Sequence, residues 1–211
     1  MSTLKPASWS YAEDFVPEPE IIEQARARGL AFDAATPVGT GAGATLRLLT
    51  AAIGAKHVIE VGTGAGTSGL WLLAGMPQDG VLTTIDISPE HQKAAREAYV
   101  AAGYPTQRTR VISGRATDVL PRMTDGAYDM VLIDADKASY PAYVEHGIRL
   151  LRSGGVLALD NMLWHDKVAD PAARDSDTST LRDLGKSLRD NDELLPALLP
   201  VSDGLLLAVK R

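Results

Sequence analysis

The sequence predicts an α/β domain built on a mostly parallel sheet, and two observations carry that prediction. Short apolar runs alternate along the chain with longer segments whose apolar side chains recur at helical spacing. Each of the first five runs stops at a glycine or an acid, where a strand would hand over to a helix. Such alternation requires right-handed crossovers, parallel strands and helices on both faces of the sheet.

The elements follow in order. Residues 18–30 make a helix with Ile21, Ile22 and Ala25 on one face, entered through Pro17 and Pro19. Residues 44–53 make another, with Leu46, Leu49 and Ile53 together and Gly54 just past its end. HVIEVG (57–62) is the first strand, and the helix after its glycine turn carries Trp71 toward the core. VLTTID (81–86) is the second strand. Ser88 caps the next helix with Pro89 at its first position, and that helix ends near Ala102 and Gly103. RTRVISG (108–114) and YDMVLID (128–134) are strands three and four. A helix over 138–152 presents Tyr140, Tyr143, Val144, Ile148 and Leu151, and Gly154-Gly155 turns the chain into the fifth strand, VLALDN (156–161). Residues 178–190 form a helix through Leu181, Leu184 and Leu188. Strands at 195–201 and 204–210 close as a hairpin around Asp203-Gly204. The predicted architecture is a Rossmann-like, doubly wound, mostly parallel seven-stranded sheet with an antiparallel C-terminal hairpin.

Bulk properties exclude several functions. The chain has 211 residues, net charge -6 and no dense Lys/Arg stripe, which argues against nucleic acid and for a small-molecule substrate. It has no cysteine, so disulfides, thiolate metal sites and cysteine nucleophiles are absent. No apolar run reaches the roughly 18 residues of a membrane span, and the first residues lack a secretory apolar stretch, so a cytoplasmic location is expected. No G-x-S-x-G or Ser-His-Asp signature supports a hydrolase.

In doubly wound sheets, ligands sit at the carboxyl ends of the strands. Those ends are acidic here: Glu60, Asp86, Asp134 and Asp160-Asn161. Clustered carboxylates are costly unless they bind something. After strand one the glycine spacing is G-x-G-x-G at Gly62, Gly64 and Gly66, one residue short of the dinucleotide fingerprint. Glu60, two residues earlier, would repel a pyrophosphate. A cofactor without phosphate but with a sulfonium and an ammonium, S-adenosylmethionine, suits this loop better than a nicotinamide dinucleotide. Asp86 is placed to accept ribose hydroxyls, although a helix N-terminal acid would look the same. Ile87 is placed over adenine and Ala116 at its edge, unless both are simply core. Asp134, Asp160 and Asn161 converge if strands four and five are neighbours. Two carboxylates and an amide oxygen are hard ligands suited to Mg²⁺, Ca²⁺ or Mn²⁺. The alternative is that these acids only cap helices and turns.

VIEVGTGAGTS, DADK and DNMLW, in that order, resemble the cation-dependent class I O-methyltransferases, the caffeoyl-CoA and catechol O-methyltransferase group. The resemblance covers roughly residues 36–211, leaving 1–35 as a helical segment facing substrate or a partner subunit within one domain overall. It implies Glu60, Gly62, Thr63, Gly64, Ser68, Asp86 and Ala116 around S-adenosylmethionine, with Val38 near its methionine part. It implies Asp134, Asp160 and Asn161 on the metal, with Asp134 also bordering cofactor and acceptor. It makes Lys137 the candidate base and a homodimer the expected assembly. Two departures stand out. TPVGTGAGATL lacks the usual acid-Gly-Gln pattern, and His165-Asp166-Lys167 follows Trp164 where relatives often carry a glycine. Trp164 either walls an aromatic, vicinal-diol acceptor or packs in the core or an interface. Lys137 is otherwise a surface lysine paired with Asp134 or Asp136. The competing functions are a noncatalytic S-adenosylmethionine-binding protein and a nicotinamide oxidoreductase.

Overall fold

The computed structural model describes residues 6–32 and 36–211. Three helices come first: α1 (Pro6–Glu13), α2 (Glu20–Leu30) and α3 (Thr40–Ala52). The alternating body follows as β1 (His57–Val61), α4 (Thr67–Gly75), β2 (Val81–Asp86), α5 (Pro89–Ala101), β3 (Thr109–Ser113), the short α6 (Ala116–Val119), β4 (Tyr128–Ile133), α7 (Tyr140–Leu150) and β5 (Leu151–Leu159). The chain ends with α8 (Ser176–Arg189), β6 (Leu194–Leu199) and β7 (Leu205–Lys210). The boundary expected between residues 35 and 36 adjoins residues 33–35, outside those described.

The strands form one seven-stranded sheet in the order β3-β2-β1-β4-β5-β7-β6. The first five are parallel, and β7 joins β5 and β6 antiparallel. Successive strand residues point to opposite faces, so each strand feeds two cores. Val58, Leu82, Met130 and Val156 pack with Leu46, Trp71 and Tyr99 beneath α3, α4 and α5. Ile59, Ile85, Val131 and Leu157 pack with Tyr140, Leu181 and Leu188 beneath α7 and α8. Ile22 and Ala25 of α2 belong to the first core, so the N-terminal segment is built into the same domain.

Three elements depart from expectation in an instructive way. The third helix begins at Thr40 rather than 44, because Gly41 and Gly43 are helical and buried. A Cβ on Gly43 would collide with the Trp71 indole, so glycine here serves helix–helix approach rather than a turn. The helix expected over 138–152 opens as a 3₁₀ turn at Lys137–Ser139 and ends at Leu150. The fifth strand begins at Leu151, and Gly154-Gly155 lie inside it where the register against β4 shifts. The glycine pair therefore makes an irregularity within the strand, a role glycine also plays in bulges.

No residue of α1 is buried, and Trp9 and Tyr11 are exposed. Glu13 ties its end down, accepting hydrogen bonds from Gly41 N (2.8 Å), Ser202 N (2.8 Å) and Ser202 Oγ (2.7 Å). Among the described residues no helix is long and apolar enough to cross a membrane.

Candidate active site

β1 and β4 lie side by side in the middle of the sheet. The chain leaving β1 returns toward β2, while the chain leaving β4 returns toward β5. The two connections diverge and open a crevice at the strand ends. Backbone hydrogen bonds carry the ladder one residue further: Gly62 N to Ile85 O (2.9 Å), Asp134 N to Val61 O (2.8 Å) and Asp160 N to Ile133 O (3.1 Å). That extension sets Gly62, Asp134 and Asp160 in a row. Gly62 has φ +98°, and a Cβ there would strike the Asp134 carbonyl, so close approach of the β1 and β4 ends requires glycine.

The crevice holds a cavity of about 600 Å³, within the usual range for small-ligand sites. Val38, Gly62, Thr63, Gly64, Ser68, Asp86, Ile87, Ala116, Asp134, Lys137, Asn161 and Trp164 all border it. Ile87 is exposed and so is not core, whereas Val38 and Ala116 are buried in its wall. Glu60 and Asp160 do not border it.

On one side, Asp86 organises the glycine loop. Its Oδ2 accepts from Thr63 N and Gly64 N, both at 3.0 Å, and its Oδ1 accepts from Ser88 N at 2.8 Å. Glu60 lies beneath that loop, wholly buried. Ser68 Oγ and Thr84 Oγ1 each donate to it at 2.6 Å, and Thr84 pairs with the Thr63 hydroxyl at 2.7 Å. Burial pushes the Glu60 carboxyl up to about 7, against the pull of the two hydroxyls and with the push of Asp134 and Asp86. Glu60 thus reaches the cavity through Ser68 and Thr63 rather than with its own oxygens.

On the other side, Lys137 is buried, not a surface lysine. Its Nζ donates to Asn161 Oδ1 (2.8 Å) and to the Tyr140 hydroxyl (2.5 Å), and lies 3.7 Å from Asp134 Oδ1. It also sits 5.4 Å from the centre of the Trp164 ring. Burial lowers the Lys137 pKa, opposed by Asp134, Asp160 and Asp203. Burial raises the Asp134 carboxyl, opposed by Lys137. Asp160 is almost fully buried, and neither of its carboxylate oxygens has a hydrogen-bond partner. Burial, and then the charge of Asp134, push it up to about 7. Asp136 also borders the cavity, capping the 3₁₀ turn at Ser139 N and accepting from Tyr143 Oη (2.8 Å). Among the described residues no three His, Cys, Asp or Glu side chains form a metal cage; the expected set is two acids and an amide.

The backbone beyond Asp160 is unusual. Asn161, Trp164, His165 and Asp166 all have φ between 50° and 64°, a region that costs non-glycine residues energy and clusters at functional sites. His165 and Asp166 lie in the stretch, His165-Asp166-Lys167, where the sequence departs from a glycine.

Sequence reasoning missed His91, Arg115, Tyr143 and Asp177 in the cavity wall. His91 lies in the first turn of α5, stacked on Phe32 (4.8 Å between ring centres) with Nδ1 3.4 Å from Asp86 Oδ2. Its place just after the Ser88 cap was the available signal, since helix starts face the ligand in this topology.

Fold and cavity define a doubly wound α/β protein with a small-molecule site at its switch point. The O-methyltransferase family model matches residues 13–211, and the chain belongs to that family and is an O-methyltransferase. A Mycobacterium tuberculosis protein named for O-methyltransferase activity is 48% identical over 207 residues, covering 96% of this chain and 90% of the relative. The O-methyltransferase TomG of Streptomyces achromogenes, solved in complex with S-adenosylmethionine and described as involved in tomaymycin synthesis, superposes with TM-score 0.85 at 27% identity, covering 99% of each chain. An O-methyltransferase from Bacillus cereus, solved with S-adenosylhomocysteine, gives TM-score 0.85 at 26% identity, covering 97% of this chain and 99% of its own. Family membership sets aside the oxidoreductase and noncatalytic alternatives.

Proposed function

We propose that this O-methyltransferase moves the methyl group of S-adenosylmethionine to one hydroxyl of a small aromatic vicinal diol, with a divalent cation, Mg²⁺ by preference, held by Asp134, Asp160 and Asn161. The observation that carries the reading is Asp160. A buried carboxylate with no hydrogen-bond partner is expensive, and one lysine ammonium does not balance it together with Asp134. A hard dication answers both acids and the Asn161 oxygen, whose present partner is the Lys137 ammonium.

S-adenosylmethionine, when bound, supplies an electrophilic methyl on its sulfonium. A dication, when bound, supplies Lewis acidity that makes an acceptor hydroxyl more acidic. The chain does the rest. Asp86 keeps the glycine loop in shape and has acceptor capacity left for ribose hydroxyls. Ile87, Ala116, Val38, Thr63, Gly64 and Ser68 all line the cavity; with the cofactor bound, Ile87 and Ala116 would border its adenine, Val38 its methionine end, and Thr63, Gly64 and Ser68 would hold the remainder. Trp164 walls the acceptor ring, and Lys137, in the neutral amine form that burial favours, receives the acceptor proton at Nζ. Holding donor and acceptor together accounts for up to roughly 7–11 kcal/mol of barrier lowering. The enzyme works in the cytoplasm as a homodimer, for which the exposed Trp9, Phe15, Leu195 and Leu198 offer apolar surface.

The test is methyl transfer from S-adenosylmethionine to catechol, flavonoid and hydroxycinnamoyl acceptors with Mg²⁺, read by mass spectrometry with and without EDTA. A singly methylated diol that disappears on chelation is expected. In the same assay Lys137→Met should lose about 10²–10⁴-fold in kcat while still binding S-adenosylmethionine. Full turnover after exhaustive chelation would overturn the metal reading.

A further inference from the structure

The segment from Asp160 to Asp175 joins β5 to α8 through turns alone. Connections beyond about 12–15 residues without regular structure are uncommon and usually functional. This one carries Trp164 on the cavity wall in a left-handed backbone, so something must hold it in place. Its near end is pinned from the β6–β7 turn: Met162 N donates to Gly204 O (2.8 Å), Leu163 N to Asp203 O (2.8 Å) and His165 N to Asp203 Oδ1 (2.7 Å).

The far end is pinned by one side chain. Arg182 on α8 donates from Nε to Val168 O (3.1 Å) and from Nη1 to Ala173 O (3.1 Å). Its Nη2 donates to Lys167 O (3.0 Å), Asp170 O (2.8 Å) and Ala173 O (3.1 Å). A guanidinium has five N–H donors in a fixed fork, and here that fork gathers the carbonyls of the loop. No carboxylate pairs with Arg182 among the described residues. The loop residues it grips lead straight back to the cavity, because Lys167 N donates to Trp164 O (3.1 Å) and Val168 N to Leu163 O (3.1 Å). The helix that presents Arg182 is anchored through Leu181, Leu184 and Leu188, which are buried in the second core.

We propose that Arg182 is a positioning residue for the acceptor side of the site: it fastens the Lys167–Ala173 carbonyls to α8 and thereby fixes Trp164 against the cavity. The proposal rests on the reading of Trp164 as the acceptor wall. Lysine cannot replace arginine here, because a point ammonium on a flexible stem does not reach several separated carbonyls at once. The cofactor side, built from β1, β2 and α5, does not depend on this fastening.

The test compares wild type, Arg182→Ala and Arg182→Lys as full chains, each first shown to melt cooperatively. Hydrogen exchange should speed up at the Lys167, Val168 and Asp170 amides in both variants and stay unchanged in β1 and β2. The Trp164 indole N–H resonance, assigned by its loss in Trp164→Phe, should broaden or shift. With catechol and Mg²⁺, kcat/KM for the acceptor should fall by about 10²-fold, the cost a misplacement of roughly 1 Å can carry. KM for S-adenosylmethionine should not change. Unchanged exchange and an unmoved Trp164 resonance in Arg182→Ala would overturn the fastening. Faster exchange with unaltered acceptor KM and kcat would overturn the link to the acceptor. Arg182→Lys behaving as wild type would overturn the forked-donor argument. Wild type inactive on catechol would count against the acceptor class alone, since exchange and the indole resonance read the fastening without it.

Discussion

The two sides of the cavity are built on opposite electrostatic plans. Around the glycine loop both acids are answered: the half-buried Asp86 takes three backbone N–H groups, and the buried Glu60 takes two hydroxyls that lead on to Thr63. Across the crevice Asp160 accepts no hydrogen bond, it and Asp134 share the charge of one lysine, and the following loop runs through left-handed non-glycine residues. A satisfied polar network rigidifies, whereas an unpaired buried charge destabilises the empty protein. The glycine-loop side is therefore complete as it stands, whereas the opposite side keeps buried charge without a full set of partners, which a divalent cation would supply on the proposed reading. Stability is sacrificed where charge has to be handled.

Asp160→Asn attacks this contrast most directly. Removing an unpaired buried charge should raise the melting temperature of the metal-free protein, by about 2–4 °C for each 1 kcal/mol recovered. The same change should weaken Mg²⁺ binding by at least the 10–100-fold that loss of an outer partner typically costs. Calorimetric scanning in EDTA and Mg²⁺ titration of activity read the two effects. A variant less stable than wild type in EDTA would show that Asp160 is a structural acid and that the two sides do not differ as described.

Asp86→Ala tests the finished side. Hydrogen bonds to a charged group are worth about 1.5–3 kcal/mol each, so the dissociation constant for S-adenosylhomocysteine should rise roughly 10–150-fold. Isothermal calorimetry at fixed Mg²⁺ measures it. Unaltered binding would mean that the glycine loop holds its shape without Asp86 and that no ribose contact is made there.

Glu60→Gln gives the smallest expected effect. The folded-state value of about 7 lies above the unfolded value of 4.5. The native state therefore binds the proton more tightly, and this group's contribution to stability is full below about pH 4.5 and is lost as pH rises through 7. The slope from one such group is at most about 1.4 kcal/mol per pH unit. Urea melts of the metal-free protein between pH 5 and 8 should slope less in Glu60→Gln than in wild type. Equal slopes would show that Glu60 keeps its charge when folded.

The fold was legible because its signals are local. Apolar runs such as VIEV and MVLI bury both faces of a parallel strand, and Ser88 does cap α5, accepting from His91 N. Glycine was harder to read. Gly62 looked like a ligand turn and is also a packing contact with Asp134, while Gly43 and Gly154-Gly155 serve a neighbouring helix and a strand irregularity. What a glycine lets approach lies elsewhere in the chain, and sequence spacing does not name it.

The sequence by itself determined that the acids lie at strand ends, that they share one edge of a doubly wound sheet, and that the glycine loop is shaped for a ligand without phosphate. Each of these depends on residues a few positions apart. Only the tertiary structure decided which acids are satisfied. Glu60 meets Ser68 and Thr84, Lys137 turns inward to Asn161 and Tyr140, Asp160 meets no donor, and Arg182 reaches back to the loop that carries Trp164. Whether a charge is paired depends on side chains brought in by other strands and helices, and burial then sets what an unpaired one costs.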